Sequence, residues 1–263
     1  MIRSLYTAAT GMDAQQLFMD TISHNISNIN TTGFKRSKVE FQDLMYQTLK
    51  EPGVMNQEGE SAPVGIEVGL GVKPGATQKL FDQGSLSQTG NSLDVAIQGD
   101  GFFQISLPDG TIGYTRDGSF KKTADGTVVT TNGYPLYPQI NIPAGAQQLG
   151  IDSASGKVTV VLPGQQTSTE LGQFELARFV NPAGLKSLGD DLYSVTDASG
   201  QPMINVPSVD GMGTLSQGYL EASNVQIVDE MVNMISAERA YEIVSKSIQV
   251  SDEMMQMANN LKR

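Results

Sequence analysis

Both ends of the chain place apolar side chains seven residues apart, and this spacing limits what the ends can form. Residues 1–30 contain one such repeat: Leu5, Met12, Met19 and Ile26. The C-terminal segment contains a longer one: Ile227, Met234, Tyr241, Ile248 and Met255, accompanied by Glu230, Ala237, Val244, Ser251 and Ala258. A narrow repeat of this period is typical of coiled-coil helices, so we expect two long terminal helices that pack on other helices.

The alternative is a helical hairpin that packs on the rest of the same chain. Such a hairpin would need a wider apolar stripe, about three positions in every seven. The narrow repeat therefore favours contacts with other copies of the chain, and we predict that the apolar repeat residues lie in a subunit interface.

The first helix ends in a polar segment, Ser23–Phe34, with the sequence SHNISNINTTGF. Asn, Ser and Thr compete with the helix backbone for hydrogen bonds and favour helix ends, so we expect a turn near Gly33. Asn25 and Asn28 are three residues apart and share one side of the helix. We predict that their amides bond to backbone or to polar groups of another subunit.

Residues before the second helix offer a start signal of their own. Ser223 and Asn224 provide a candidate N-cap, and Asp229 and Glu230 follow at the positive end of the helix dipole. We therefore expect the second helix to begin close to residue 224.

The middle of the chain has the pattern of strands and tight turns. Four dipeptides of the Asx-Gly type recur at steps of seven or eight residues: Asp109-Gly110, Asp117-Gly118, Asp125-Gly126 and Asn132-Gly133. Such pairs supply the positive φ angles of hairpin turns, and apolar runs separate them. The sequence therefore predicts an α+β protein, with paired terminal helices and a mostly β middle.

Charge and composition exclude several classes of function. The chain has 28 acidic and 17 basic residues, and the basic residues form no stripe, which argues against binding to nucleic acid. It has no cysteine, so disulfides and thiolate metal sites are excluded. The N-terminus has no apolar core of a secretory signal, so we expect any export to leave the N-terminus uncleaved.

Catalytic and metal-binding patterns are weak. His24 is the only histidine, so a catalytic triad or a histidine metal site would depend on one residue beside a helix repeat. The adjacent carboxylates Asp190 and Asp191 could serve glycoside chemistry, but such a pair after a glycine is more often a turn. We predict no catalytic residue, no cofactor and no bound metal.

Three segments resemble the flagellar axial proteins, the rod and hook subunits of bacterial flagella. They are Ser27–Lys35 (SNINTTGFK), Asp94–Phe103 (DVAIQGDGFF) and Arg239–Lys246 (RAYEIVSK), in the order that the family has. Residues 43–63 further resemble the insertion of distal rod subunits, in which Tyr46, Gln47, Pro52, Gly53 and Pro63 fall. The chain thus resembles a member of this family, of the distal rod type.

The resemblance implies a division into three parts. Residues 1–33 and 224–263 would form an inner helical tube domain, residues 34–91 and 196–223 a middle domain, and residues 92–195 an outer β domain. It also implies a non-enzymatic subunit that assembles helically into a rigid hollow shaft and transmits torque from the motor to the hook.

Implied partners are further copies of the chain, other rod subunits, hook subunits, the rings in the peptidoglycan layer and outer membrane, and the flagellar export apparatus. The implied location is the basal body, across the periplasm. Two alternatives stay open: a proximal rod or hook subunit of the same family, and a secreted β-rich protein that binds glycans.

Overall fold

The computed structural model describes residues 2–51, 64–146, 148–162 and 168–260 of the chain. Two helices stand at the ends and pack together, and the residues between them form strands and turns. The α+β prediction is confirmed. The described chain divides into two compact units, one of Met1–Ser27, Ser37–Gln78 and Gln226–Arg263 and the other of Asn28–Arg36 and Lys79–Val225.

The first unit, which we call the helical unit, contains both helices and two short β-ribbons. β1 pairs with β4, and β2 pairs with β3 in antiparallel register, with Tyr46 opposite Gly69. Its elements are α1 (Ile2–Ser27), β1 (Ser37–Asp43), β2 (Tyr46–Lys50), β3 (Ile66–Gly69), β4 (Val72–Lys79) and α2 (Ile227–Asn260). At 1.5 Å per residue, the 26 residues of α1 and the 34 of α2 span about 39 Å and 51 Å.

The second unit, which we call the β unit, is built on a seven-stranded sheet. The order of the sheet is β16-β17-β8-β7-β15-β18, with β11 also paired to β7. Its strands are β5 (Leu86–Gln88), β6 (Val95–Gln98), β7 (Phe102–Ser106), β8 (Ile112–Thr115), β9 (Lys121–Lys122), β10 (Val128–Val129), β11 (Leu136–Tyr137), β12 (Gln148–Ile151), β13 (Lys157–Val161), β14 (Thr169–Gln173), β15 (Leu176–Arg178), β16 (Lys186–Gly189), β17 (Leu192–Ser194), β18 (Met203–Asn205), β19 (Thr214–Gln217) and β20 (Tyr219–Glu221).

Smaller sheets complete the β unit. β12, β13 and β14 form a three-stranded sheet, and three two-stranded ribbons join β9 to β10, β6 to β19 and β5 to β20. The last two ribbons bring the segment that precedes α2 back against strands from the first half of the unit. Leu215 thereby lies opposite Ile97, and Tyr219 lies opposite Gln88.

The alternation of side chains along β7 divides the core of the β unit into two clusters. Phe103 points into a large aliphatic and aromatic cluster, whereas Phe102 points into a second cluster on the other face. In the second cluster Phe102 packs edge-to-face on Phe179, with ring centroids 5.7 Å apart, and it also contacts Tyr193. Both faces of the sheet are therefore buried at its central strand β7, whereas the edge strands β16 and β18 are mostly exposed.

The predicted turns are right at three of the four Asx-Gly pairs. Asp109-Gly110 connects β7 to β8, Asp125-Gly126 connects β9 to β10, and Asn132-Gly133 lies between β10 and β11. Asp117-Gly118 is not a hairpin turn. Gly118 is instead needed for close packing, because a Cβ there would lie 1.7 Å from the carbonyl oxygen of Val95.

The predicted N-cap of the second helix is also wrong, since α2 begins at Ile227. The amide of Asn224 is used elsewhere: its Oδ1 accepts from the backbone N–H of Arg36 at 2.8 Å, and its Nδ2 donates to the Leu80 carbonyl at 2.8 Å. The acidic first turn is confirmed, with Asp229 and Glu230 in place. Among the described residues, neither helix is apolar enough along its length to cross a membrane.

Candidate assembly surface

The two terminal helices form an antiparallel pair within one chain. The Ser4 and Ser251 hydroxyls lie 3.5 Å apart, a Cβ on Gly11 would lie 3.8 Å from Val244, and Asn25 contacts Glu230. Contact positions therefore advance by sevens along α1 and fall by sevens along α2, as in a coiled coil. Some of the helix–helix contacts that the repeat predicts are therefore made between α1 and α2 of the same chain.

The positions that α2 buries in this pair, which we call the buried column, are small or polar. On α2 it contains Glu230, Ala237 and Ser251, all exposed by 4% or less. On α1 the facing positions include half-buried Gly11 and buried Asn25, each one position before a residue of the predicted apolar repeat, and α1 also buries Ala14 and Ile22. Small side chains allow two helix backbones to approach closely, which accounts for this register.

Asn25 finds its hydrogen-bond partners within the chain. Its Nδ2 donates to the Ser37 carbonyl at 2.9 Å and its Oδ1 accepts from the Ser37 N–H at 2.9 Å. Nδ2 also lies 3.4 Å from Oε1 of Glu230. This buried amide therefore joins the end of α1 to β1 and to α2. Asn28 is half-buried, and its Oδ1 accepts from the Thr31 hydroxyl at 3.3 Å.

The predicted interface residues flank the buried column. Leu5, Met12, Met19 and Ile26 on α1 are half-buried, as are Met234, Ile248 and Met255 on α2. Ile227 and Tyr241 are exposed by 51% and 37%. Each of these side chains thus keeps part of its apolar surface available to another molecule, and its role in subunit contact stays a prediction.

A second apolar surface on α2, which the heptad analysis missed, lies on the side of the helix away from the buried column. We call it the outer stripe. Its members share one side of the helix, at steps of three, four, seven or eight residues, and are exposed by 42% to 73%: Val228, Val232, Ile235, Ile243, Val250, Met254 and Met257. The sequence contains a signal for this surface: when α2 is drawn as a helix, apolar residues fall on two opposite sides. Exposed apolar surface of this extent marks an interaction site.

The segment after α1 adds a third exposed apolar surface. The β2–β3 hairpin is solvent-accessible, and Tyr46, Leu49 and Ile66 are exposed by 57%, 54% and 54%. Gln47 accepts a hydrogen bond from Arg3 at 3.0 Å. Of the predicted insertion residues, Tyr46 and Gln47 therefore lie on this hairpin, whereas Pro52, Gly53 and Pro63 lie outside the described residues.

The polar segment after α1 enters the β unit through a tight backbone contact. Gly33 has φ +72°, and a Cβ there would lie 2.7 Å from the backbone nitrogen of Asp117. Its own N–H donates to the Glu221 carbonyl at 2.8 Å. Glycine is required here both for the positive φ and for the close approach.

Two residues further on, Lys35 belongs to a buried ion cluster that the sequence analysis missed. Its Nζ lies 2.6 Å from Oε1 of Glu221, and Nη1 of Arg116 lies 3.4 Å from Oε2 of the same carboxylate. All three side chains are 3% exposed or less. Burial lowers the pKa of Lys35 and of Arg116, while the Glu221 carboxylate acts to raise both.

The residues considered as catalytic candidates, Asp190, Asp191 and His24, lie in a turn and on the surface of a helix. Asp190 and Asp191 form the turn between β16 and β17, with φ of 52° and 56°. Burial, and then the charge of Asp117, raise the pKa of Asp191 to about 6. His24 lies on the exposed side of α1. Within the described ranges, no three side chains of metal-binding type come together.

Three family models match the chain, and each falls on a part of this structure. "Flagella basal body rod protein" matches residues 5–35, which span α1 and the Gly33 turn. "Flagellar hook protein FlgE/F/G D1 domain" matches residues 96–160 in the β unit. "Flagellar basal body rod FlgEFG protein C-terminal" matches residues 216–261, which span β20 and α2.

Full-length relatives agree with these matches. The flagellar basal-body rod protein FlgG of Borreliella burgdorferi is 51% identical over 264 residues, covering 100% of both chains. The FlgG proteins of Buchnera aphidicola from Schizaphis graminum and of Agrobacterium fabrum are each 49% identical, covering 99% of this chain and 100% of the relative. The predictions of a basal-body rod protein and of a structural subunit rather than an enzyme are confirmed. The chain belongs to the FlgG family of flagellar basal-body rod proteins.

Proposed function

We propose that copies of this chain assemble helically into the distal rod and transmit torque through contacts between their terminal helices. The observation that supports this most strongly is the outer stripe of α2. Seven apolar side chains, exposed by 42% or more, remain on the helix after it has paired with α1. Transfer of this surface from water to a contact with another copy supplies association energy of about 25 cal/mol per Å².

The three-part division predicted from the sequence fits this proposal. The terminal helices would line the tube, residues 34–91 and 196–223 would form the middle part, and residues 92–195 the outer part. The half-buried residues beside the buried column, such as Met12 and Met234, would meet neighbouring helices at the edges of the pair. Methionine suits such contacts because its side chain adapts to irregular surfaces.

Family membership implies assembly with other rod subunits in the basal body. We extend this to contacts with hook subunits at one end and with the rings of the peptidoglycan layer and outer membrane around the rod. We also propose export through the flagellar apparatus without cleavage of the N-terminus and a location across the periplasm.

The proposal is tested by placing a charge on the helices and measuring polymer formation by electron microscopy. Met234→Asp and Ile248→Asp test the predicted interface residues, and Ile243→Asp tests the outer stripe. Each should leave the β unit folded and stop polymerisation, because a buried carboxylate without a partner is costly. Ala124→Asp, at an exposed turn of the β unit, is the control. Normal rods from Ile243→Asp would contradict the proposal.

Two alternatives have their own tests. A proximal rod or hook subunit would not depend on the distal-type insertion, so deletion of residues 46–63 would leave its polymers unchanged. A distal rod subunit lacking that segment should still polymerise but form less straight or less rigid rods. A glycan-acting protein would show peptidoglycan hydrolysis that disappears in Asp190→Asn or Asp191→Asn.

A further inference from the structure

The β unit contains a cavity of about 160 Å³ that the assembly surfaces do not use. Its apolar wall is formed by Phe81, Phe102, Phe179, Val180 and Pro182, and its polar wall by Arg116, Arg178, Asp100 and Gly101. A single water requires about 10–15 Å³ of such space, so this cavity can accept a side chain.

The polar wall of the cavity adjoins a buried cluster with an excess of positive charge. Lys35 and Arg116 are both buried and share the carboxylate of Glu221, the buried acid of the cluster, while the exposed carboxylates of Asp82 and Asp100 act on them from farther away. The Glu221 carboxylate lies closer to Lys35 than to Arg116: the distance to Nζ of Lys35 is 2.6 Å and the distance to Nη1 of Arg116 is 3.4 Å. Its Oε1 also accepts the Gly84 N–H at 2.9 Å. Arg116 is therefore the less well compensated of the two cations.

Arg116 also lacks part of its hydrogen bonding. Nη2 donates to the Gly99 carbonyl at 2.8 Å, and the guanidinium lies 5.4 Å from the ring centroid of Phe102. Nε is buried and has no hydrogen-bond partner among the described residues. A buried charge is stable only when it is paired, so a further negative group near Arg116 would be favourable.

Arg178 adds a second guanidinium at the mouth of the cavity. It is 38% exposed, and its Nη2 lies 3.6 Å from Oδ2 of Asp100, a carboxylate that is itself 68% exposed. Solvent weakens this pair. An entering carboxylate can thus bind Arg178 directly and add negative charge beside the buried cluster.

We propose that this cavity is a carboxylate-binding site, filled in the polymer by an Asp or Glu side chain from a second copy of the chain. The inference rests on the polymer proposed above. Charge complementarity supports this occupant, because the chain has 28 acidic residues against 17 basic ones and offers carboxylates over much of its surface. The aromatic wall would hold the methylene groups of the entering side chain, and Nη2 of Arg178 would hold its carboxylate, since Nη1 already donates to the Asp210 carbonyl at 3.3 Å.

The site itself is tested on the full-length monomer with propionate as the probe. Propionate should produce saturable shifts in the Nε–Hε NMR signals of Arg178 and Arg116 that sodium chloride at equal ionic strength does not produce. Arg178→Ala should abolish these shifts and Arg178→Lys should retain part of them. Lys157→Ala, which removes an exposed cation of the same unit, should leave them unchanged. Equal shifts with propionate and chloride would overturn the site.

The occupant is tested in the polymer by a photo-crosslinking amino acid at Val180, a cavity residue that is 80% exposed. In mixed polymers of light and heavy isotope-labelled chains, the crosslinked peptide should come from another copy and contain Asp or Glu. Crosslinks to a peptide without a carboxylate, or within one copy, would overturn the occupant. If no polymer forms, the proposed function fails, while the propionate titration still decides whether the cavity binds a carboxylate.

Discussion

At Gly33 a single residue decides how the chain leaves α1 for the β unit. The position combines a φ of +72° with a Cβ site 2.7 Å from the backbone of Asp117. Gly110 has a similar φ of +80°, but a Cβ there would meet nothing within 4 Å. Substitutions at the two glycines therefore distinguish two costs: that of the backbone conformation, which both share, and that of the close contact, which only Gly33 has.

We expect Gly33→Ala to destabilise the protein by several kcal/mol, of which about 1–2 kcal/mol is the conformational cost of a left-handed alanine. Gly110→Ala should cost only that conformational part. Denaturant unfolding monitored by tyrosine fluorescence measures both. Equal losses in the two variants would show that the contact with Asp117 is unimportant.

Glu221 is the residue on which the buried ion cluster depends. Glu221→Gln leaves Lys35 and Arg116 buried without a counter-charge, which typically costs about 3–5 kcal/mol. Glu170→Gln is the matched control, since Glu170 pairs with Lys157 at 3.1 Å while both side chains are about half exposed. That change should cost about 0–1 kcal/mol. Urea unfolding of both variants gives the comparison, and a loss below 1 kcal/mol for Glu221→Gln would contradict the structure.

Asp191 should make the stability depend on pH. Its pKa is raised to about 6, mainly by burial, so folding favours the neutral carboxyl. The stabilisation is present below the unfolded pKa of about 4 and is lost as the pH rises through about 6. Asp191→Asn should therefore be more stable than the parent near pH 7 and lose this advantage near pH 4.

Asp152→Asn provides a control of opposite sign, because hydrogen bonds from Ser155 lower the pKa of Asp152. This variant should be less stable than the parent near neutral pH and approach it in acid. Thermal unfolding across the pH range measures both variants. An Asp191→Asn curve parallel to that of the parent would contradict the assignment.

At the scale of elements, the sequence correctly predicted the two terminal helices. It was less successful in predicting which side of α1 faces α2. Both helices exist, and α2 begins within three residues of the predicted start. The apolar repeat of α1 drew attention to Leu5 and Met12, whereas the positions that face α2 are Ser4 and Gly11, one residue earlier. Hydrophobicity ranks the large residues first, but on α2 the helix pair buries the small residues Ala237 and Ser251.

Long-range contacts explain the other failures of prediction. Lys35, Arg116 and Glu221 lie far apart in the sequence, and no local pattern indicates that they meet. The Asp117-Gly118 pair has the composition of a hairpin turn. Its glycine is required for another reason, because the backbone of Val95 in β6 leaves no room for a Cβ. The Asx-Gly pairs that did form turns needed only local backbone geometry.

The small residues of the helix pair give a prediction for the element as a whole. Ala237 is 2% exposed between α1 and α2, so Ala237→Leu must push the helices apart, at a cost of about 1–3 kcal/mol. Ala258→Leu makes the same change at an exposed position of the same helix and should be nearly neutral. Circular dichroism during thermal unfolding compares them. Equal melting of the two variants would show that the helices do not pair closely.

At the scale of the whole molecule, the chain has more apolar surface than one copy can bury. α2 uses one side to pair with α1 and leaves the outer stripe exposed, and the β2–β3 hairpin exposes further apolar side chains. A monomer with such surfaces is expected to associate with other copies, and contacts between unlike surfaces that do not close into a ring extend into a helical polymer. The family to which the chain belongs is made of rod proteins, in agreement with this property.

The absence of cysteine from the chain allows a direct measurement on the outer stripe. In a single-cysteine variant Ile243→Cys, we expect maleimide to react rapidly with the monomer and at least about tenfold more slowly with the assembled rod, because packing excludes the reagent. Ala124→Cys, at an exposed turn of the β unit, controls for reagent access and should react in both states. A rod in which Cys at position 243 reacts as fast as in the monomer would contradict assembly through the terminal helices.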